Sequence, residues 1–140
     1  MSMTFTALSV RQPWAGAIIL GNKDVENRSR AFHYRGPLLI HAGVHVDPSA
    51  FADPRIKPLG FLRATVLTGH IVGYVRVIDC VRDSKSPWAA RDQFHILLRD
   101  AGRFLRPIPY KGQLNRFQVP RHLVIDQLPG WFTVQRELPL

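Results

Sequence analysis

The sequence predicts a small α+β fold built on a mostly antiparallel, partly closed β-barrel, and three observations point there. The chain has 140 residues with a 46% hydrophobic share, one domain's worth with enough apolar material for a core. Its apolar residues fall in several short, alternating, β-rich runs with a single early helical stretch. A flat sheet of such strands leaves exposed edges, and closure into a barrel removes them. No internal repeat, low-complexity tract or linker divides the chain. Residues 1–140 therefore read as one domain with a less regular insert at about 44–68.

The elements follow in order. Thr4 to Val10 alternates and is β-rich, a strand. Pro13 stands where a helix's first turn tolerates proline, and Trp14 to Leu20 is a short apolar helix stopped by Gly21. Lys23 to Ser29 reads as a second strand, Arg30 to Gly36 as a basic loop, and Pro37 to Ala42 as an apolar strand. From Val44 to Thr68, Pro48, Pro54 and Pro58 leave room only for short helices or turns. Gly69 to Asp83 is the longest strand, with Ile71, Gly73, Val75 and Val77 on one face and Gly73 a bulge or close-approach point. Gln93 to Arg99 and Asn115 to Val119 are further strands, with Pro107-Ile108-Pro109 an extended connection between them. His122 to Val134 packs back as a C-terminal strand or lid.

No apolar run approaches the roughly 18 residues that span a bilayer. Ile71 to Val81, the longest candidate, is broken by Gly73, Arg76 and Asp79. The N-terminus lacks a basic start followed by an apolar stretch, so no signal peptide is expected. Cys80 is the only cysteine, which rules out an internal disulfide and favours a cytoplasmic location. The charge is more telling. Lys and Arg total 19 against 10 acidic residues, a net +9 with a pI near 10.8. Such an excess favours polyanionic partners, because neutralised phosphates release condensed counterions.

Three segments carry candidate chemistry. In the first, Leu8 to Ala15, a helix N-terminus offers free N–H groups to a phosphate or carbonyl oxygen. There Gln12 offers an amide to a base edge or caps the helix, and Trp14 stacks on a base or anchors the helix to the core. In the second, Gly21 to Arg28, strand alternation puts Glu26 and Arg28 on one face and turns Val25 to the core. A carboxylate beside a guanidinium forms a salt bridge, orients a base amide or acts as proton acceptor. Lys23, just past the turn, reaches the same mouth, where partial burial lowers its pKa. In the third, Tyr34 to His41, Arg35 precedes a turn-forming glycine and stands over the cleft, and Tyr34 offers a stacking face. Lys111, in Pro107 to Gly112, extends the basic surface.

Other residues carry less. His41 and His45 are four apart, a spacing that converges on a metal only from a helix, and His41 ends a strand. No metal or cofactor is expected. His95 and Cys80 read as core residues on apolar strands, and no Ser-His-Asp arrangement follows from spacing.

Taken together, Ala7 to Ala15, Gly21-x-Lys23-x-x-Glu26-x-Arg28-Ser29 and Tyr34 to Ala42 resemble the activating signal cointegrator homology (ASCH) domain. Gly73 to Cys80, Ser86-Pro87-Trp88 and Pro107 to Gly112 fit as well, so the resemblance covers most of the chain except Val44 to Thr68. It implies a PUA-like β-barrel with flanking helices and a basic cleft, in a family associated with RNA or DNA. It also implies a nucleic-acid-binding module, for single-stranded or modified nucleotides, that uses Gln12, Trp14, Lys23, Glu26, Arg28, Tyr34, Arg35 and Lys111. The alternative it implies is a small hydrolase of a modified nucleoside, N4-acetylcytidine amidohydrolase-like, or a ribonuclease. In the amidohydrolase motif Gly-x-Lys-x-x-Thr-x-Arg, Lys23 matches the catalytic lysine, while Glu26 replaces the catalytic threonine. That replacement leaves a general base acting on water in place of the nucleophile. Near the end, Gln113 to Phe117 replaces the family's glycine-leucine-tryptophan stretch.

Overall fold

Six strands carry the architecture, each from a stretch whose residue types suit a pleated surface. The structure, a computed structural model, describes residues 3–134. Strand β1 is Thr4–Val10, helix α1 Trp14–Leu20, β2 Val25–Arg28, β3 Gly36–Ala42, β4 His70–Val81, β5 Phe94–Pro109 and β6 Arg116–Pro120. They form one sheet in the order β2-β5-β4-β3-β1-β6. Pairing is antiparallel except between β1 and β3, which run parallel with Ala7 opposite Leu39. That parallel pair, absent from the sequence expectation, follows from the connection. The chain leaves β1 through α1 and β2 and returns to β3 in its original direction.

The sheet is curled into a half-barrel. In a flat sheet β2 and β1, four places apart, would lie about 19 Å from each other. Yet the Arg28 Nη2 on β2 donates to the Ser9 carbonyl on β1 at 2.9 Å. Only a curl brings those backbones within one side chain's reach. Closure is by side chain rather than by a sixth ladder, which refines the expected partly closed barrel.

Both faces of the sheet are buried, so its strands serve two cores. Leu8, Val10, Leu38, Ile40, Val75, Val77, Ile96 and Leu98 pack on the concave side with Ala15 and Ile18 of α1. Ala7, Leu39, Ile71, Phe104, Phe117 and Val119 face the other way, against Val124 and Phe132. The covering segment is two short 3-10 turns at 121–127 and the single helical turn α2, Gly130–Thr133. The sequence allowed a strand or a lid here, and a lid is what forms.

The largest correction concerns β5. The expected strand at 93–99 runs on through residue 109, so Pro107-Ile108-Pro109 is its end and not a connection. Ile108 stands opposite Ile71 and Pro109 opposite His70. Prolines survive there because β2 pairs only with residues 94–97. The far half of β5 is an edge on that side, where a missing N–H is not needed. Gly73 is the close-approach point expected of it. The β4–β5 register shifts beside it, and a Cβ there would collide with the Gly102 carbonyl oxygen. Elsewhere the corrections are small: β2 is shorter than 23–29, β4 spans 70–81, and Cys80 sits at the margin of the concave-side core. His95 is a satisfied buried histidine, its ring bonded by the Ser84 amide and the Ala90 carbonyl.

The candidate site at the mouth of the half-barrel

A tight turn sets up the site. The Gly21 and Lys23 amides both donate to the Ala17 carbonyl, ending α1, and Asn22 takes a left-handed φ of 59°. The chain then enters β2, where Glu26 stands opposite Ile96 and Arg28 opposite Phe94. Opposed residues of an antiparallel pair project to the same face, so Glu26 and Arg28 share the concave face with core residue Ile96. Val25 and Asn27 take the outer face, which the 84–90 loop covers through bonds between Asn27 and the Trp88 carbonyl and Ala90 amide. The expected alternation holds. However, the carboxylate side is the inner one, and Val25 is buried from outside.

The result is a compact charge cluster. Lys23, only 4% exposed, donates through Nζ to the Val25 carbonyl and lies 3.4 Å from Glu26 Oε1. Arg28 Nε lies 3.2 Å from Glu26 Oε2. That Nε is buried and has no hydrogen-bond partner of good geometry. Glu26 is thus held between two cations. Burial pushes the Lys23 ammonium below its ordinary value; Glu26 opposes the shift, and Arg55 and Arg28 add to it. An ammonium so buried, beside a carboxylate and a guanidinium, gives up its proton more readily than a free lysine and can also hold an oxyanion.

Aromatic and insert residues surround the cluster. The Lys23 Nζ lies 5.7 Å from the centre of the Trp14 ring. Trp14 Nε1 donates to Asp47 Oδ2 at 3.0 Å, which fixes the indole. The Arg55 guanidinium lies over both Trp14, at 5.9 Å, and Trp88, at 4.9 Å. Asp47, Asp53 and Arg55 all come from the irregular insert.

The other expected residues are placed as follows. Gln12 is 6% exposed, and its amide accepts from the Gly16 N–H and donates to the Leu67 carbonyl. It caps α1, one of the two roles open in the sequence. Three amides at the start of α1 are occupied: Ala15 donates to the Arg11 carbonyl, Gly16 to the Gln12 side chain and Ala17 to the Pro13 carbonyl. Tyr34 is half-buried with its hydroxyl donating to the Pro37 carbonyl, and Arg116 lies 5.8 Å over its ring. Burial raises the phenol's pKa, against the effects of Thr6 and Arg116. Arg35 donates to the Phe32 and Tyr34 carbonyls and lies 3.4 Å from Asp79, so it is tied to the β3–β4 side and not to Glu26. Lys111 is exposed on the loop that follows β5. No group of three or more His, Cys, Asp or Glu side chains able to hold a metal occurs among the described residues. None of their helices is long and apolar enough to cross a membrane.

The family model of the ASCH domain matches residues 8–124. The chain belongs to the ASCH domain family. Among solved structures, the ASCH protein of Zymomonas mobilis superposes with a TM-score of 0.52 at 15% identity, covering 86% of this chain and 90% of that one. A tyrosine-to-phenylalanine variant of it gives 0.53, 15%, 86% and 94%, and a serine-to-alanine variant 0.52, 15%, 86% and 92%. At that identity the likeness is one of fold. No curated protein matches the chain.

Within this ASCH domain, sequence reasoning missed Arg55 and its placement over both Trp14 and Trp88. The signal available for Arg55 was weak, an Asp-Pro-Arg step in a proline-cut insert. Trp88 was visible only as part of the Ser86-Pro87-Trp88 motif, with no periodicity to aim it.

Proposed function

We propose that this ASCH domain is a nucleic-acid-binding module whose half-barrel mouth accepts an unpaired or modified nucleotide of single-stranded RNA. The observation that carries this reading is the Lys23–Glu26–Arg28 cluster beside the Trp14 ring, on a chain of net charge +9. Arg28, Arg35 and Lys111 meet phosphates. Lys23 and Glu26 present a donor and an acceptor to a base edge, and Trp14 and Tyr34 supply stacking faces. Gln12 is left out because both ends of its amide are occupied.

The test is binding of a fluorescent single-stranded oligoribonucleotide at several salt concentrations. Affinity falls steeply as salt rises, and Lys111→Ala lowers the salt slope by about one. Glu26→Gln changes the preferred base more than the slope. Absence of salt-dependent binding to any single-stranded RNA or DNA would sink the reading.

A second reading rests on one feature, the buried Lys23 whose ammonium is pushed down in pKa beside Glu26. It makes the same cluster a hydrolase of a small modified nucleoside, with Glu26 as general base on water and Lys23 stabilising the developing oxyanion. Deacetylation of N4-acetylcytidine decides it. Turnover by the wild type, lost in both Lys23→Ala and Glu26→Ala, supports hydrolysis, and equal rates in all three dismiss it.

A further inference from the structure

The insert at 44–68 reaches into the candidate site. It sends Arg55 across two indoles, and each of the three guanidinium nitrogens donates a hydrogen bond. Nε and Nη2 donate side by side to the two oxygens of Asp53, at 2.9 and 2.6 Å. Nη1 donates to the Pro87 carbonyl at 2.8 Å. Its central carbon, Cζ, lies 5.9 Å from the Trp14 ring centre and 4.9 Å from that of Trp88. Both rings are themselves held, Trp14 by Asp47 and Trp88 through its backbone by Asn27 and Ser86. Ser86 in turn donates to Asp24, the residue just before β2.

A planar group with two parallel N–H donors on a carboxylate and aromatic faces beside it has a close chemical counterpart. Guanine presents its N1–H and exocyclic N2–H in the same spacing as two guanidinium N–H groups, which is the pattern a carboxylate reads bidentately. Adenine and cytosine lack that pair, since each offers a ring acceptor beside its amino group. Indole faces also favour a cation over a neutral ring, and guanine alkylated at N7 is cationic.

We propose that Trp14, Trp88 and Asp53 form a guanine-selective slot, that Arg55 occupies it in the free protein as an internal stand-in for the base, and that a guanine base of the bound strand displaces it. The slot rests on the nucleic-acid reading above and names the base that reading leaves open. It also places selectivity in the insert, outside the stretches that carry the family resemblance.

The experiment is titration of guanosine, 7-methylguanosine, adenosine and cytidine 5′-monophosphates against the full chain, followed by tryptophan fluorescence and calorimetry. Wild-type protein is expected to bind 7-methylguanosine monophosphate most tightly, then guanosine monophosphate, each at least about fivefold over the adenosine and cytidine forms. Asp53→Asn removes that preference. Trp88→Ala weakens all four by about tenfold. Arg55→Ala and Arg55→Met, with melting temperatures checked, tighten the guanine forms by vacating the slot.

Equal binding of the four nucleotides overturns the proposal. So does a guanine preference that survives Asp53→Asn, or weaker guanine binding in folded Arg55 variants. The nucleic-acid reading fails separately. Oligoribonucleotides without guanine that bind as well as guanine-containing ones leave that reading standing and remove the slot, whereas no binding by any oligonucleotide removes the reading itself.

Discussion

Arg28 and Ser9 stand four strands apart along the sheet and 2.9 Å apart in space, joined by the bond from Nη2 to the carbonyl. The same guanidinium flanks Glu26. One side chain thus holds the mouth of the half-barrel together and forms one wall of the candidate site. Arg28→Ala is expected to destabilise the fold by about 1.5–3 kcal/mol, the range for a hydrogen bond to a charged group. Urea unfolding checks it, with a lowered midpoint and an unchanged slope if only stability moves. Arg28→Lys recovers less than half of the loss, since a point charge cannot face Glu26 and Ser9 together.

Lys23 opposes stability while Arg28 supports it. Burial holds its ammonium below the ordinary 10.5. Between the folded value and 10.5 the unfolded chain carries more protons, so this group's contribution to stability rises with pH across that window and is smallest below it. Lys23→Met removes the buried charge and leaves the Glu26–Arg28 pair. It is expected to melt at or above the wild-type temperature near pH 7 and to lose that alkaline rise, while binding RNA more weakly. A variant that melts lower and binds normally contradicts the assignment.

His41 makes the chain sensitive to acid. It is 1% exposed, and its Nε2 bonds the Tyr110 carbonyl at 2.6 Å, which can only accept. Nε2 therefore carries the proton, and Nδ1 accepts from Ser9 Oγ at 3.0 Å. Burial lowers its pKa from 6.5, opposed by the Tyr110 bond and reinforced by His70. Between the folded value and 6.5 the unfolded chain binds this proton and the folded chain does not. Stability from this site is complete above about 6.5 and declines as pH falls through the window. His41→Gln should melt lower at pH 7, with a shallower loss of melting temperature between pH 7 and pH 5.

Two close backbone approaches set limits on substitution. A Cβ on Gly73 would meet the Gly102 carbonyl and the Ile19 side chain, and the backbone contact has no flexible end to yield. Gly73→Ala is expected to cost more than about 2 kcal/mol, in the range of overpacking. On Gly112 a Cβ would meet His41 Cε1 at 2.6 Å and Nδ1 at 2.8 Å. Gly112→Ala should therefore disturb the Ser9–His41 bond, read as a changed His41 titration by NMR.

Local pattern was enough wherever local physics decides the outcome. The β-rich alternation of Thr4 to Val10, the proline-started and glycine-stopped α1, and the strand around Val75 and Val77 all appear where expected. Glu26 and Arg28 share a face because strand periodicity permits nothing else. Pro107 and Pro109 misled because proline signals a break, and only the absence of a neighbour on one side of β5 makes it harmless.

By itself the sequence determined α1 and the cores of the strands, the charge, the ASCH resemblance and the adjacency of Lys23, Glu26 and Arg28, since these depend on spacings of a few residues. Tertiary structure decided which way the β2 faces turn, that Gln12 is a cap, that Arg35 leans toward Asp79, and that Arg55 lies across Trp14 and Trp88. These join residues far apart in the chain, and even the local Gln12–Gly16 cap is fixed by the distant Leu67 carbonyl. No periodicity encodes the curl that brings Ser9 to Arg28, because it arises from how six strands and two cores pack at once.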